Sequence, residues 1–321
     1  MFNSVCAINV ECSCAEGLLH SLGQPMRWAL SEQLKFFESR ASMWVKAFCN
    51  QSMRALCRVR RAVAAIVTAG LIGACLLPSA AATAPEVKKP QVERPTRVLF
   101  VGNSYLYYGD SVHNHVRRLV DAGGITPLDS LQYKSSTIGG ASLDHHPIDW
   151  LTTPGRIGVK QPFELVILQG GSSEPLSPKR AKQFRAVLAE HNKLIRSRGA
   201  SVALYMTQAY SKDHKSYSPA NISKTEAMYV EAGNEIDALV IPVGLAFEEA
   251  YRRYPDLKLH KSDGTHPSLI GSYLAACTVY AAVYGKSPVG NPYTYEGAVS
   301  QDLARQMQQV AQDTVQRFYQ Q

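Results

Sequence analysis

Two short motifs, V-G-N-S-Y at 101–105 and D-G-T-H-P at 263–267, carry residue types that could perform acyl transfer. A serine hydroxyl becomes a nucleophile when a base takes its proton. The base in turn needs a carboxylate to fix its tautomer and steady the imidazolium. Ser104 supplies the hydroxyl, His266 the imidazole and Asp263 the carboxylate. The D-x-x-H spacing lets the carboxylate reach the distal ring nitrogen without another chain segment. Each residue also has a plainer reading. Ser104 could be an N-cap after a strand, His266 could precede a helix that starts at Pro267, and Asp263 could form an Asp-Gly turn. The order of the motifs and the elements around them favour chemistry.

Acyl transfer also needs donors for the oxyanion, and losing one costs about 3 kcal/mol. Gly140, in Ile138-Gly-Gly-Ala-Ser142, can expose its N–H because no side chain obstructs the approach. Gln169 ends an apolar run and carries an amide that could point to the same place. Its alternative is an ordinary polar residue at a strand end.

Short apolar runs alternate with helix-like stretches from residue 97 onward, the pattern of a parallel α/β sheet. The runs predict strands at 98–101, 130–133, 165–168, 202–206 and 239–243. Helical patterns fall at 111–122, 178–198, 223–236, 244–254, 267–284 and 296–319. Ligands of open parallel sheets bind beyond the carboxyl ends of strands, and both motifs can reach that rim.

The chain has 321 residues and a formal charge of +8. Residues 1–84 hold eight Lys/Arg against four Asp/Glu, leaving 26 against 22 for the remainder. The remaining basic groups are scattered and densest on one helical face, which argues against a nucleic-acid partner. Six of seven cysteines precede the domain, at 6, 12, 14, 49, 57 and 75, and Cys277 alone lies within it. Cys277 falls in an apolar helical run and reads as a packed small hydrophobe. No metal site is expected, since Cys12-x-Cys14 has no second pair and the adjacent His145 and His146 diverge on any regular element. Residues 53–84 combine a basic start, an apolar run and a small-residue cleavage zone, the layout of a signal peptide. The apolar run is short for a membrane span. Periplasmic or secreted localisation is expected, with a lipoprotein anchored at Cys75 as the alternative. Residues 1–52 read as a mis-assigned or disordered extension, 85–96 as a linker and 97–321 as the domain.

The motifs together resemble the SGNH (GDSL-type) hydrolases over roughly residues 97–290. Ser104 in G-N-S matches the first block, where G-D-S is more usual, and Gly140 matches the second. Asp263 and His266 match the last, within D-G-x-H-P-S-x-x-G-x-Y-L-A-A at 263–276. The third block departs from the family's G-x-N-D, with Gln169-Gly-Gly-Ser-Ser173 in its place, so either Gln169 or Ser172 takes the asparagine's donor role. The resemblance implies a three-layer α/β/α flavodoxin-like sandwich with a parallel sheet of about five strands. It further implies an exported serine esterase with no metal or cofactor, acting through Ser104, His266 and Asp263. The backbone N–H groups of Ser104 and Gly140, aided by Gln169, would hold the oxyanion. The expected partner is a small-molecule or carbohydrate ester, of short or acetyl chain, with no stable membrane span after signal cleavage. Tyr105, Tyr107, Tyr108 and Trp150 could stack on a sugar or simply pack. The rival readings are a non-catalytic carbohydrate-binding or envelope protein and an O-acyltransferase.

Overall fold

Five apolar runs build one parallel sheet in the computed structural model, which describes residues 83–320. The strands are β1 (Arg97–Gly102), β2 (Gln132–Thr137), β3 (Leu165–Leu168), β4 (Ser201–Tyr205) and β5 (Leu239–Ile241). Their order is β2-β1-β3-β4-β5, and every neighbouring pair is parallel. In register, Val98 lies opposite Tyr133 on one side and Leu165 on the other. Chain direction across the sheet reverses between β1 and β3, which opens a crevice beyond their carboxyl ends.

Alternation along the strands feeds two cores. Val98, Phe100, Ile167, Ala203 and Tyr205 face one helical layer, while Leu99, Val101, Val166, Leu168 and Leu204 face the other. The first layer holds α2 (Val112–Ala122), α6 (Val243–Arg253), α7 (Leu269–Tyr284) and α8 (Gln301–Tyr319). The second holds α3 (Ile148–Thr152), α4 (Pro178–Ser197) and α5 (Asn221–Glu235). A short helix, α1 (Ser104–Tyr107), follows β1 directly. Helix α7 is apolar all round and sandwiched between α2 and α8, so Gly271 to Tyr284 are buried, Cys277 among them.

The three-layer α/β/α sandwich agrees with expectation, and the strand positions largely do. Strand β2 lies at 132–137 rather than 130–133. Its polar stretch from Lys134 to Thr137 pairs along the sheet edge, where no continuous apolar run is needed. Residues 85–96 form no regular element, yet they lie along the domain. Glu86 N–H donates to Asn234 Oδ1 at 2.9 Å, and Pro95 O accepts from Tyr284 Oη at 2.8 Å. The segments read as an extension at 1–52 and as a signal peptide from 53, as far as residue 82, lie outside the described residues. Among the described residues, no helix is long and apolar enough to cross a membrane.

Candidate active site

Strand β1 delivers Ser104 to the crevice. Asn103 is extended and caps α1, its Oδ1 accepting from Tyr105 N–H at 3.2 Å. Its amide nitrogen donates to Ala141 O at 2.9 Å and Gly170 O at 3.3 Å. One side chain therefore ties the loop after β1 to those after β2 and β3. Ser104 is the first residue of α1, so its N–H has no intrahelical partner. The residue is 6% exposed, and its Oγ lies 2.8 Å from His266 Nε2.

His266 comes from the loop between α6 and α7. Asp263 Oδ2 lies 2.8 Å from His266 Nδ1, while Asp263 Oδ1 accepts from the N–H groups of Thr265 and His266 at 2.9 Å each. Partial burial pushes the Asp263 carboxyl up, but these amide donors and the imidazole outweigh it and hold it at about 2. A carboxylate accepting at Nδ1 requires the proton there, which leaves the Nε2 lone pair facing the Ser104 hydroxyl. Gly264 sits at φ +71° between the two, where a Cβ would come 2.8 Å from Ser211 Oγ and 2.9 Å from His214 Cβ. The turn can press against the loop after β4 only because that position is glycine.

Gly140 also has positive φ, +71°, with open space where a side chain would stand. Among the described residues its N–H has no acceptor, since the hydrogen bond of that turn runs from Ala141 N–H to Ile138 O. Gln169 departs from expectation. It is fully buried, its Oε1 accepts from Asn103 N–H at 2.9 Å, and its amide nitrogen donates to Gly170 O. The carboxamide clamps the backbone before Ser104 instead of opening onto the crevice. A Cβ on Gly102 would collide with it, so glycine precedes the clamp for steric reasons. Ser172 Oγ lies 3.2 Å from Tyr210 Oη, at the rim and bonded to neither Ser104 nor His266.

Several contacts around His266 have no signal in the sequence. Tyr105 Oη meets Thr265 Oγ1 at 2.6 Å, and the Tyr108 ring lies 4.3 Å from the His266 ring. His260 braces the loop from beneath, with Nε2 3.0 Å from Ala209 O and Nδ1 2.7 Å from Tyr251 Oη. The N-cap preference of Asn after a strand was the one available pointer to Asn103. Trp150 is exposed, and its neighbour Asp149 binds Arg198, which precedes β4, so this part of α3 lies toward the amino ends of the strands. His146 is buried rather than in a surface loop, with neither ring nitrogen bonded among the described residues.

A cleft of about 320 Å³ opens beside Gly140, lined by Ser142, Asp144, Glu174, Arg180 and Gln183 over a floor of Phe184. A larger cavity of about 430 Å³ lies between α5, α6 and α8, and neither cavity is lined by Ser104, Asp263 or His266. Among the described residues, no group of three His, Cys, Asp or Glu is spaced to hold a metal.

No family model matches the sequence, and no curated protein does. Solved structures do. A DUF4886 family protein from Bacteroides uniformis is 22% identical, with a TM-score of 0.53 over 68% of this chain and 94% of its own. A candidate SGNH hydrolase from Slackia heliotrinireducens is 20% identical, with a TM-score of 0.47 over 59% and 98%. The acetyl xylan esterase AlAXEase is 15% identical, with a TM-score of 0.47 over 58% and 98%. At 22% identity and a TM-score of 0.53, the likeness to the DUF4886 family protein is one of fold, that of a parallel α/β/α sandwich.

Proposed function

We propose that the protein is a serine ester hydrolase working through Ser104, His266 and Asp263. The observation that carries this reading is the continuous relay from Asp263 Oδ2 through both nitrogens of His266 to Ser104 Oγ, each link 2.8 Å. Its members come from opposite ends of the domain, and both links have the length of a formed hydrogen bond.

In the proposed reaction His266 Nε2 takes the hydroxyl proton as Ser104 Oγ attacks the ester carbonyl. The resulting oxyanion lies between the free N–H groups of Ser104 and Gly140, with Gln169 holding the Asn103 backbone so that the first of these points correctly. His266 returns its proton to the departing alkoxide, leaving an acyl group on Ser104. Water, deprotonated by the same nitrogen, then attacks the acyl group, and His266 gives that proton to Ser104 Oγ as the acid leaves. Asp263 keeps the proton on Nδ1 throughout and offsets the charge of the imidazolium.

The cleft beside Gly140 carries Ser142, Asp144, Arg180 and Gln183, groups suited to a hydroxylated alcohol such as a sugar and poorly suited to a long alkyl chain. A short acyl group, acetyl above all, fits this division. The signal-like segment at 53–84 supports action outside the cytoplasm. Hydrolysis of 4-nitrophenyl acetate by the wild-type chain and by Ser104→Ala tests the reading. The expected result is a fall of at least about 10³-fold in kcat/KM, and equal rates would refute it.

A further inference from the structure

The base has a cationic neighbour that the proposed reaction does not use. Lys261 Nζ sits 4.9 Å from the centre of the Tyr108 ring, and that ring lies 4.3 Å from the His266 ring. Laid end to end, the two distances put the ammonium no more than about 9 Å from the imidazole, close to one Debye length at physiological salt. Backbone bonds fix the stem of this side chain in the same turn as the base. Lys261 N–H donates to His266 O at 2.8 Å, and Lys261 O accepts from Gly264 N–H at 3.0 Å.

The ammonium is exposed and forms no ion pair among the described residues. An aromatic face engages a cation but accepts no directed hydrogen bond as strong as a carboxylate's, so the N–H donors stay open to a ligand. The nearby carboxylate spends its hydrogen bonds elsewhere. Asp263, two residues on, is already committed to His266 and two backbone amides. The loop packed against Gly264 carries exposed Lys212 and Lys215 beside Asp213, and Glu248 interacts with Lys212. Formal charges on this side balance, and Lys261 is the cation held against the aromatic ring beside His266.

We propose that Lys261 is a specificity-determining residue that selects esters borne on an anionic molecule, one with a carboxylate a few bonds from the scissile ester. An acylated acidic sugar or hydroxy acid has that chemistry. Tyr108 acts as the shelf that holds the ammonium at a set distance from the reacting atoms. This inference rests on the ester-hydrolase reading and adds the charge of the substrate to it.

Two acetyl esters of matched size test it: 4-acetoxybenzoate, which is anionic, and 4-acetoxybenzamide, which is neutral. The full chain is assayed at an ionic strength of about 20 mM, and the readout is the ratio of the two kcat/KM values within each variant. That ratio cancels any shared effect on folding or on the base. Wild type is expected to favour the anion about fivefold, the size of one charge acting over this distance in a mostly aqueous cleft. The preference should fade toward unity near 1 M salt and disappear in Lys261→Gln. Lys261→Arg should retain it. A wild-type ratio of one, or a preference that Lys261→Gln leaves intact, overturns the inference while the hydrolase reading stands. No turnover of either ester overturns both.

Discussion

Tyr105 and Thr265 stand 160 residues apart and share a hydrogen bond of 2.6 Å. The first follows the nucleophile and the second precedes the base, so this contact sets the spacing between hydroxyl and imidazole independently of their own hydrogen bond. Burial pushes the Tyr105 phenol up, which keeps it protonated at any working pH. Replacing Tyr105 with Phe should lower kcat about tenfold with little change in KM, and lower stability by ~1 kcal/mol. Steady-state kinetics beside thermal unfolding check both; a change in KM alone would place Tyr105 against substrate instead.

Asn103 gives a prediction with a definite sign. Its amide nitrogen donates to two carbonyl oxygens, those of Ala141 and Gly170, which a carboxylate can only repel. Asn103→Asp therefore should destabilise the fold by about 2 kcal/mol and reduce activity, although G-D-S is the more usual form of this motif. Denaturant unfolding that shows the variant as stable as wild type would mean that the three-loop tie is unimportant.

The tautomer of His266 depends on the charge of Asp263. In Asp263→Asn the amide can donate to Nδ1 and force the proton onto Nε2, where it faces the hydroxyl it should accept from. A fall in kcat of about 10³–10⁴ is expected, with the fold intact because the side-chain oxygen can still cap the turn. Circular dichroism beside the rate assay separates the two effects.

His260 should make the loop under the base sensitive to acid. Burial pushes its imidazole down from 6.5 to about 4, against the opposing pull of the Ala209 carbonyl. The fold thus favours the neutral ring, while the unfolded chain takes up a proton near pH 6.5. Stability from this residue is fully present above that pH and is lost as pH falls toward 4, by up to ~3 kcal/mol. His113, also held at about 4 by burial, acts in the same window. The test is therefore the slope of stability against pH in His260→Gln, which should be shallower than in wild type; equal slopes would contradict the assignment.

Much of this architecture is legible in the residues. Leu165–Leu168 is a strand buried on both faces, and its unbroken apolar run marks it at once. Helix α4 declares itself through Ser177, whose side chain accepts from Arg180 N–H, and through Pro178 at its first position. Helices α1 and α3 span four and five residues, too few for a 3.6-residue period to show. Strand β2 hides because an edge strand can be polar.

The Asp263–His266 contact is legible because D-x-x-H is a local spacing with a geometric reason. The rest of the site is not, because it depends on which loops meet. Gln169 could be placed at the rim from sequence, but the direction of its amide follows from Asn103 N–H and Gly170 O, which only the folded sheet brings together. The contacts of the Tyr108 ring with His266 and Lys261 join segments more than 150 residues apart and leave no pattern along the chain.

The proton relay is most directly tested by covalent trapping. A fluorophosphonate reacts with a serine only when a neighbouring base activates its hydroxyl. Intact and peptide mass spectrometry of the treated chain should show a single phosphonyl adduct on the peptide containing Ser104, absent from Ser104→Ala and slowed at least about 10³-fold in His266→Ala. An unlabelled Ser104, or labelling that proceeds equally well without His266, would contradict the account.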